Sequence, residues 1–177
     1  MGQEISSKNK ETNKFPRVLV LGLDNSGKSR LVSKIVDEPY HFVSIPTATV
    51  DVQDSQINSQ DVTIFDAGGY VTYRRFWPKL IEVASLIIFV IDPSDVPRLP
   101  KVKLEGAKVF KEAESKKLPV LIVLSKVDVG WNMKKEKIEN GLELKKYRLK
   151  YSIVETSAST NIGINDVRYF ITTNLNE

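Results

Sequence analysis

The chain has 177 residues, 41% of them hydrophobic and 27% charged, with a formal net charge of +4, which suits one domain with a sizeable core and leaves no room for a second. Its basic residues are scattered or interleaved with glutamate, as in Lys134-Lys135-Glu136-Lys137, so the charge gives no sign of a nucleic-acid partner. Cysteine is absent, which excludes disulfides, thiolate zinc sites, palmitoylation and C-terminal prenylation, and no apolar run approaches membrane-spanning length.

At the start, Met1-Gly2-Gln3-Glu4-Ile5-Ser6 spells the N-myristoylation pattern, with Gly2 as the acceptor after removal of Met1. Residues 7–14 are polar and include Lys8, Lys10 and Lys14, so residues 1–15 read as a flexible tail. A single acyl chain holds a membrane only marginally, and those lysines or a partner would have to supply a second signal.

The apolar run Arg17-Val18-Leu19-Val20-Leu21 then leads into Gly22-Leu23-Asp24-Asn25-Ser26-Gly27-Lys28-Ser29, followed by Leu31-Val32-Ser33-Lys34-Ile35-Val36. Strand, glycine-bounded loop and helix start form the setting of a phosphate cradle. Gly22 and Gly27 let the backbone wrap an anion so that successive N–H groups point inward. Lys28 is placed to reach β- and γ-phosphates, and the Ser29 hydroxyl is a hard oxygen ligand for Mg²⁺. The loop implies a nucleoside triphosphate. The sole histidine, His41, lies between Tyr40 and Phe42 with no partner for a catalytic base, so a loop or packing role is expected.

Thr47–Ile57 alternates polar and apolar residues and reads as an exposed edge strand antiparallel to Val62–Phe65. Asp66-Ala67-Gly68-Gly69 comes next; a carboxylate at a strand end can hold Mg²⁺, and Gly69 can offer a backbone N–H to a γ-phosphate. Thr47, on a loop after Pro46, stands at the right distance before Asp66 to give the metal a second hydroxyl. Tyr73, Phe76 and Trp77 form either an exposed aromatic patch or, for Trp77, part of the core.

Leu86–Ile91, Val120–Leu124 and Tyr151–Val154 are β-branched and almost continuously apolar, as central parallel strands covered on both faces should be. Val102, Gly106, Val109, Phe110 and Ala113 recur at helical spacing before Pro119, and Ile164, Val167, Phe170, Ile171 and Leu175 mark a C-terminal helix. The run Lys145–Lys150 reads as a solvated helix end, and Trp131 as a surface-anchoring aromatic. The alternation predicts an α/β fold: a mostly parallel six-stranded sheet, one antiparallel edge strand, and helices on both faces.

Two further motifs follow strands. In Ser125-Lys126-Val127-Asp128, the Asp128 carboxylate can accept both donors of guanine's N1 and N2 edge, which adenine does not present, and the stem of Lys126 can lie over base and ribose. In Glu155-Thr156-Ser157-Ala158, the Ala158 N–H can be given to guanine O6. Together and in order, at strand ends, they select guanine.

On these residues the chain resembles the small GTPases, and most closely their Arf/Arl branch, over residues 16–177. The markers are the loop Gly22–Ser29, Pro46-Thr47, Asp66-Ala67-Gly68-Gly69, and the following Arg74 and Trp77, with Gly2 and the missing prenyl cysteine pointing the same way. The resemblance implies a P-loop G domain that binds GTP or GDP with Mg²⁺. Nucleotide contacts would come from Asp24, Asn25, Ser26, Gly27, Lys28, Ser29, Arg30, Thr47, Gly69, Ser125, Lys126, Asp128, Ser157 and Ala158, and metal contacts from Ser29, Thr47 and Asp66. Lys28, Thr47, Gly69 and the residue at position 70 would serve hydrolysis. GTP would draw Thr47 and Gly69 onto the γ-phosphate and hydrolysis would release both loops. It also implies a monomer working with an exchange factor, an activating protein and effectors. Such a protein would serve membrane, vesicle or ciliary traffic, in the cytoplasm and reversibly at the cytosolic face of an intracellular membrane.

Four departures stand out. Tyr70 replaces the usual Gln that orients the attacking water; a phenol cannot donate and accept as an amide does, so intrinsic hydrolysis at or below the order of ~10⁻⁴ s⁻¹ is expected. Ser125 replaces the usual Asn, which predicts weaker base affinity and faster exchange. Thr49 and Val50 stand where relatives carry Gly and Phe, on the effector surface. The leading expectation is therefore a slow regulatory GTPase, the alternative a constitutively GTP-bound interaction scaffold; a P-loop kinase would leave the guanine motifs without a purpose.

Overall fold

The computed structural model describes residues 15–37, 50–130 and 133–175. Gly2, His41, Pro46, Thr47, Thr49 and Trp131 lie outside the described residues, as does most of the N-terminal tail. Six strands, β1 (Arg17–Leu21), β2 (Val50–Ile57), β3 (Gln60–Ala67), β4 (Leu86–Ile91), β5 (Val120–Leu124) and β6 (Tyr151–Glu155), form one sheet in the order β2-β3-β1-β4-β5-β6. Five run parallel, and β2 pairs antiparallel with β3 from Val50 opposite Ala67 to Ile57 opposite Gln60. Asn58 and Ser59 join them with φ of 47° and 66°, a two-residue turn whose twist matches that of the flanking strands. β3 is longer than expected: Asp66 and Ala67 belong to the strand, because the β2 partners Asp51 and Val50 carry the ladder to its end.

The continuous apolar runs have two faces, and each is covered. Val18 and Val20 of β1 join Ile64, Ile88 and Val123 against helices α1 (Lys28–Ile35) and α6 (Ile164–Leu175). Leu19 and Leu21 join Phe89, Ile122 and Phe110 on the other side. There the cover is α3 (Trp77–Val83), preceded by the short α2 (Val71–Arg74), then α4 (Leu99–Lys116) and α5 (Lys135–Gly141). Arg168 on α6 donates to the carbonyls of Lys34 and Ile35 at 2.8 and 2.9 Å, satisfying the orphan C-terminal carbonyls of α1.

Trp77 proves to be core: it is 3% exposed and its indole N–H donates to the Gly68 carbonyl at 3.2 Å. Of the predicted aromatic patch, Phe76 is exposed and Tyr73 half-buried. Lys145 and Lys146 sit on an exposed 3₁₀ turn, with Lys146 paired to Glu143, as a solvated helix end requires.

Phe110 shows what the second face rests on. It is fully buried, with its ring edge-on to Phe89 at 5.3 Å and Tyr147 at 5.7 Å. Phe110→Ala should therefore lower unfolding stability by about 3–5 kcal/mol, since the cavity cannot collapse between a strand and a helix. Urea titration followed by circular dichroism checks this; a loss below ~1 kcal/mol would contradict the packing.

Candidate functional site

The parallel strands all point their carboxyl ends to one edge of the sheet, and β1 sits where the strand order reverses between β3 and β4. In such sheets the crevice beyond that point takes the ligand. Residues 22–27 fill the turn from β1 into α1, and Gly22 is required there: its φ is +148° and a Cβ would stand 2.3 Å from the Val90 carbonyl oxygen.

Four consecutive carbonyls of this loop are each held by a different side chain. Leu23 O accepts from Lys28 Nζ at 2.8 Å, and Asp24 O from Arg98 Nη2 at 3.0 Å. Asn25 O accepts from Lys126 Nζ at 2.7 Å, and Ser26 O from Ser125 Oγ at 2.6 Å. Carbonyls held by these donors are not free to turn toward an anion, which suits a loop whose N–H groups form an anion-binding nest. Ser125, standing where the resemblance expects Asn, thus keeps the tie to the phosphate loop, and its hydroxyl also lies 3.1 Å from Ile91 O.

Of the three metal candidates, Ser29 and Asp66 lie together, and Thr47 is outside the described residues. Ser29 Oγ donates to Asp66 Oδ2 at 2.5 Å across α1 and β3. Burial pushes the Asp66 carboxyl up from its usual range, against the opposing pull of the Ser29 bond and the Lys28 charge. Burial likewise pushes the Lys28 ammonium down to about 8, although Asp66 and Asp24 favour its charge. Gly69 packs directly on the phosphate loop, where a Cβ would be 2.3 Å from Asp24 N; any side chain there would force the two loops apart.

Around the base position, Lys126 adopts φ 58° and pairs with Asp92 at 2.8 Å. Burial opposes ionisation of Asp92, but bonds from Lys126 and Ser94 outweigh it and hold the carboxyl below its usual range. Asp128 is exposed at the loop after β5. Val127 N–H donates to Thr156 O at 3.2 Å and Thr156 N–H to Leu124 O at 2.7 Å, which ties the two guanine motifs together. Ser157 is buried, its hydroxyl accepting from Thr160 N–H at 3.1 Å, and Ala158 is half-buried beside it. Arg30 is exposed on α1.

Two further placements shape the site. The Asp24 carboxylate faces two guanidinium groups, Arg98 at 2.8 Å and Arg74 at 3.3 Å. Tyr70 is 41% exposed, its carbonyl accepting the Tyr73 and Arg74 N–H groups that start α2. Asp92 and Arg98 were missed from sequence. Both follow β4 closely, and β4 lies next to β1, so charged residues just beyond Ile91 necessarily flank the phosphate loop.

The model of the ADP-ribosylation factor family matches residues 3–175. The chain belongs to the ADP-ribosylation factor family. It is 31% identical over 163 residues to ADP-ribosylation factor-like protein 2 of Dictyostelium discoideum, covering 92% of this chain and 88% of that one. Identity is 32% over 161 residues to ADP-ribosylation factor-like protein 3 of Caenorhabditis elegans, covering 90% and 87%. Among solved structures it resembles the Arl6 BBS3 small GTPase of Trypanosoma brucei with bound GppNp. That likeness has a TM-score of 0.80 and 24% identity, over 90% of this chain and 96% of that one. This Arf-family protein is accordingly a small GTPase with the P-loop G-domain fold, a binder of guanine nucleotide.

The buried Lys28 gives a pH signature. With the ammonium held at about 8, against 10.5 in an unfolded chain, the unfolded state binds more protons between those values. The group's contribution to stability is therefore lowest below pH 8 and rises through that window. A phosphate at the loop favours the charged form and raises the lysine again. At pH 8.5, where roughly three quarters of Lys28 is neutral without phosphate, GDP binding should take up a proton fraction. Calorimetry in two buffers of different ionisation enthalpy measures it; uptake unchanged in Lys28→Met would contradict this origin.

Proposed function

We propose that this GTPase is a Mg²⁺-dependent switch with slow intrinsic hydrolysis, cycling between GTP- and GDP-bound forms that differ in effector binding. The observation that carries the reading is Tyr70: a phenol, 41% exposed, at the position directly after Gly69. A side chain there must fix a water by donating and accepting at once. A single hydroxyl on a rigid ring, on a residue this exposed, is poorly suited to that task.

The donor set suits a hard divalent cation. Asp66 Oδ1 is buried with no hydrogen-bond partner, while Oδ2 holds the Ser29 hydroxyl. An open carboxylate oxygen beside a hydroxyl is the oxygen chemistry Mg²⁺ takes. Ser29, Asp66 and, by its place in the sequence, Thr47 would hold it, and bound there it would neutralise charge on the β- and γ-phosphates. The chain's own residues do the rest. Lys28 presents a cation from a buried position, the loop N–H groups orient the phosphates, and Gly69 offers a backbone N–H that no side chain obstructs. Lys126 and Asp128 select the base. Ser125 keeps the loop tied and lacks the amide of Asn for the base, which favours faster nucleotide exchange.

The test is single-turnover GTP hydrolysis by the purified protein and by Tyr70→Gln. The glutamine variant should hydrolyse at least about tenfold faster, and equal rates would remove Tyr70 as the cause. GTP retained for many hours by both would favour the scaffold reading, with hydrolysis absent for a reason other than Tyr70.

Family membership and the Gly2 pattern together support a monomeric role in membrane, vesicle or ciliary traffic, at the cytosolic face of an intracellular membrane through an N-myristoyl group. Protein co-expressed with N-myristoyltransferase should sediment with anionic vesicles and Gly2→Ala should not. Equal sedimentation would defeat the lipid reading.

A further inference from the structure

Between α2, α3 and α4 lies a cavity of about 620 Å³ that no residue of the phosphate loop lines. This is within the range of pockets that enclose small ligands, roughly 300–1,000 Å³. Its floor is apolar, built from Trp77, Pro78, Ile81 and Val109. Its wall is basic: five lining residues are Arg or Lys, against Glu105 and Glu112.

The charges are unbalanced at one point. Glu105, with a side chain 7% exposed, has Lys108 at 3.0 Å, Lys101 at 3.1 Å and Arg74 at 3.6 Å. Three cations thus share one carboxylate. Arg74 bonds Gly69 O through Nε and Asp24 through Nη2, but its side chain is 9% exposed and its Nη1 is sealed from solvent without a hydrogen-bond acceptor. The 3.6 Å to Glu105 is too long to count as one. A buried N–H with no acceptor is uncommon in folded proteins, and a ligand's oxygen would complete it.

We propose that this cavity binds a small amphipathic carboxylate, its apolar body on Trp77, Ile81 and Val109 and its anionic head beside Lys101, Lys108 and the unbonded Nη1 of Arg74. Glu105, already bonded to two lysines, yields its distant contact with Arg74 to the incoming carboxylate. The cation excess selects an anion, and the apolar floor rejects a bare phosphate or sulfate. The cavity's size fits a small molecule rather than a protein segment.

Octanoate and 1-octanol are suitable probes, alike in body and different in head. They are titrated into ¹⁵N-labelled full-length protein and followed by ¹H–¹⁵N spectra. Octanoate should give saturable shifts at the Trp77 indole N–H, Val71, Lys108 and Val109, and bind at least about threefold more tightly than octanol. Lys108→Glu, changed at a side chain 66% exposed and so compatible with folding, should abolish that preference. Raising NaCl to about 0.5 M should weaken octanoate and leave octanol unchanged. Absence of saturable shifts at Trp77, equal affinity for both probes, shifts scattered over the surface, or a preference surviving Lys108→Glu would each overturn the proposal.

Discussion

Everything at the nucleotide site depends on fixing the peptides of one short stretch of backbone. The carbonyls of Leu23, Asp24, Asn25 and Ser26 are bonded by Lys28, Arg98, Lys126 and Ser125, which come from α1, the turn before α4, and the loop after β5. A loop free to rotate its peptides would present carbonyl oxygens to a phosphate about as readily as N–H groups, and would repel it. Four side-chain donors remove that freedom before the ligand arrives. Such preorganisation lowers the ordering cost of binding.

The sheet explains why those donors can converge. Parallel strands bring the loops after β1, β4, β5 and β6 to one edge, so residues far apart in sequence meet around one turn. The central strands β1, β4 and β5 are rigid because both faces are buried under helices. The charges therefore stand on short tethers from a fixed frame, and little is lost in ordering them. The same burial lowers the Lys28 affinity for its proton and raises that of Asp66. Each group is then held under electrostatic tension that a phosphate or a cation of opposite charge relieves.

Much of this was legible in the sequence, and the boundary has a physical cause. Strands β1, β4 and β5 announce themselves because burial on both faces demands unbroken apolar runs, and the phosphate loop does so because glycine spacing is a backbone requirement. The end of β3 was less plain: Asp66 is a polar residue in strand geometry, held by pairing with Asp51, and pairing is set by the partner strand rather than by the residue. The clamp of Arg74 and Arg98 on Asp24 spans 50 and 74 residues. No local pattern encodes such a contact; it follows only once β4 is known to lie beside β1. Ser125 is the instructive case. Read as a substitution it looks like a loss, yet the bond to Ser26 needs only one short donor at that depth, and a hydroxyl provides it.

The stretch after β3 shows how one arginine joins several functions. Arg74 Nε donates to Gly69 O at 2.7 Å while its Nη atoms face Asp24 and Glu105. It therefore fixes the glycine that lies against the phosphate loop and also forms a wall of the cavity behind it. Tyr70 is caught between these constraints. Its carbonyl starts α2, and its backbone, at φ −66° and ψ 150°, is ordinary extended chain that any residue adopts without strain. Nothing in the backbone excludes an amide at this position. What sets this position apart is the side chain alone, so any effect of Tyr70 on the proposed hydrolysis is a matter of chemistry rather than of a distorted loop.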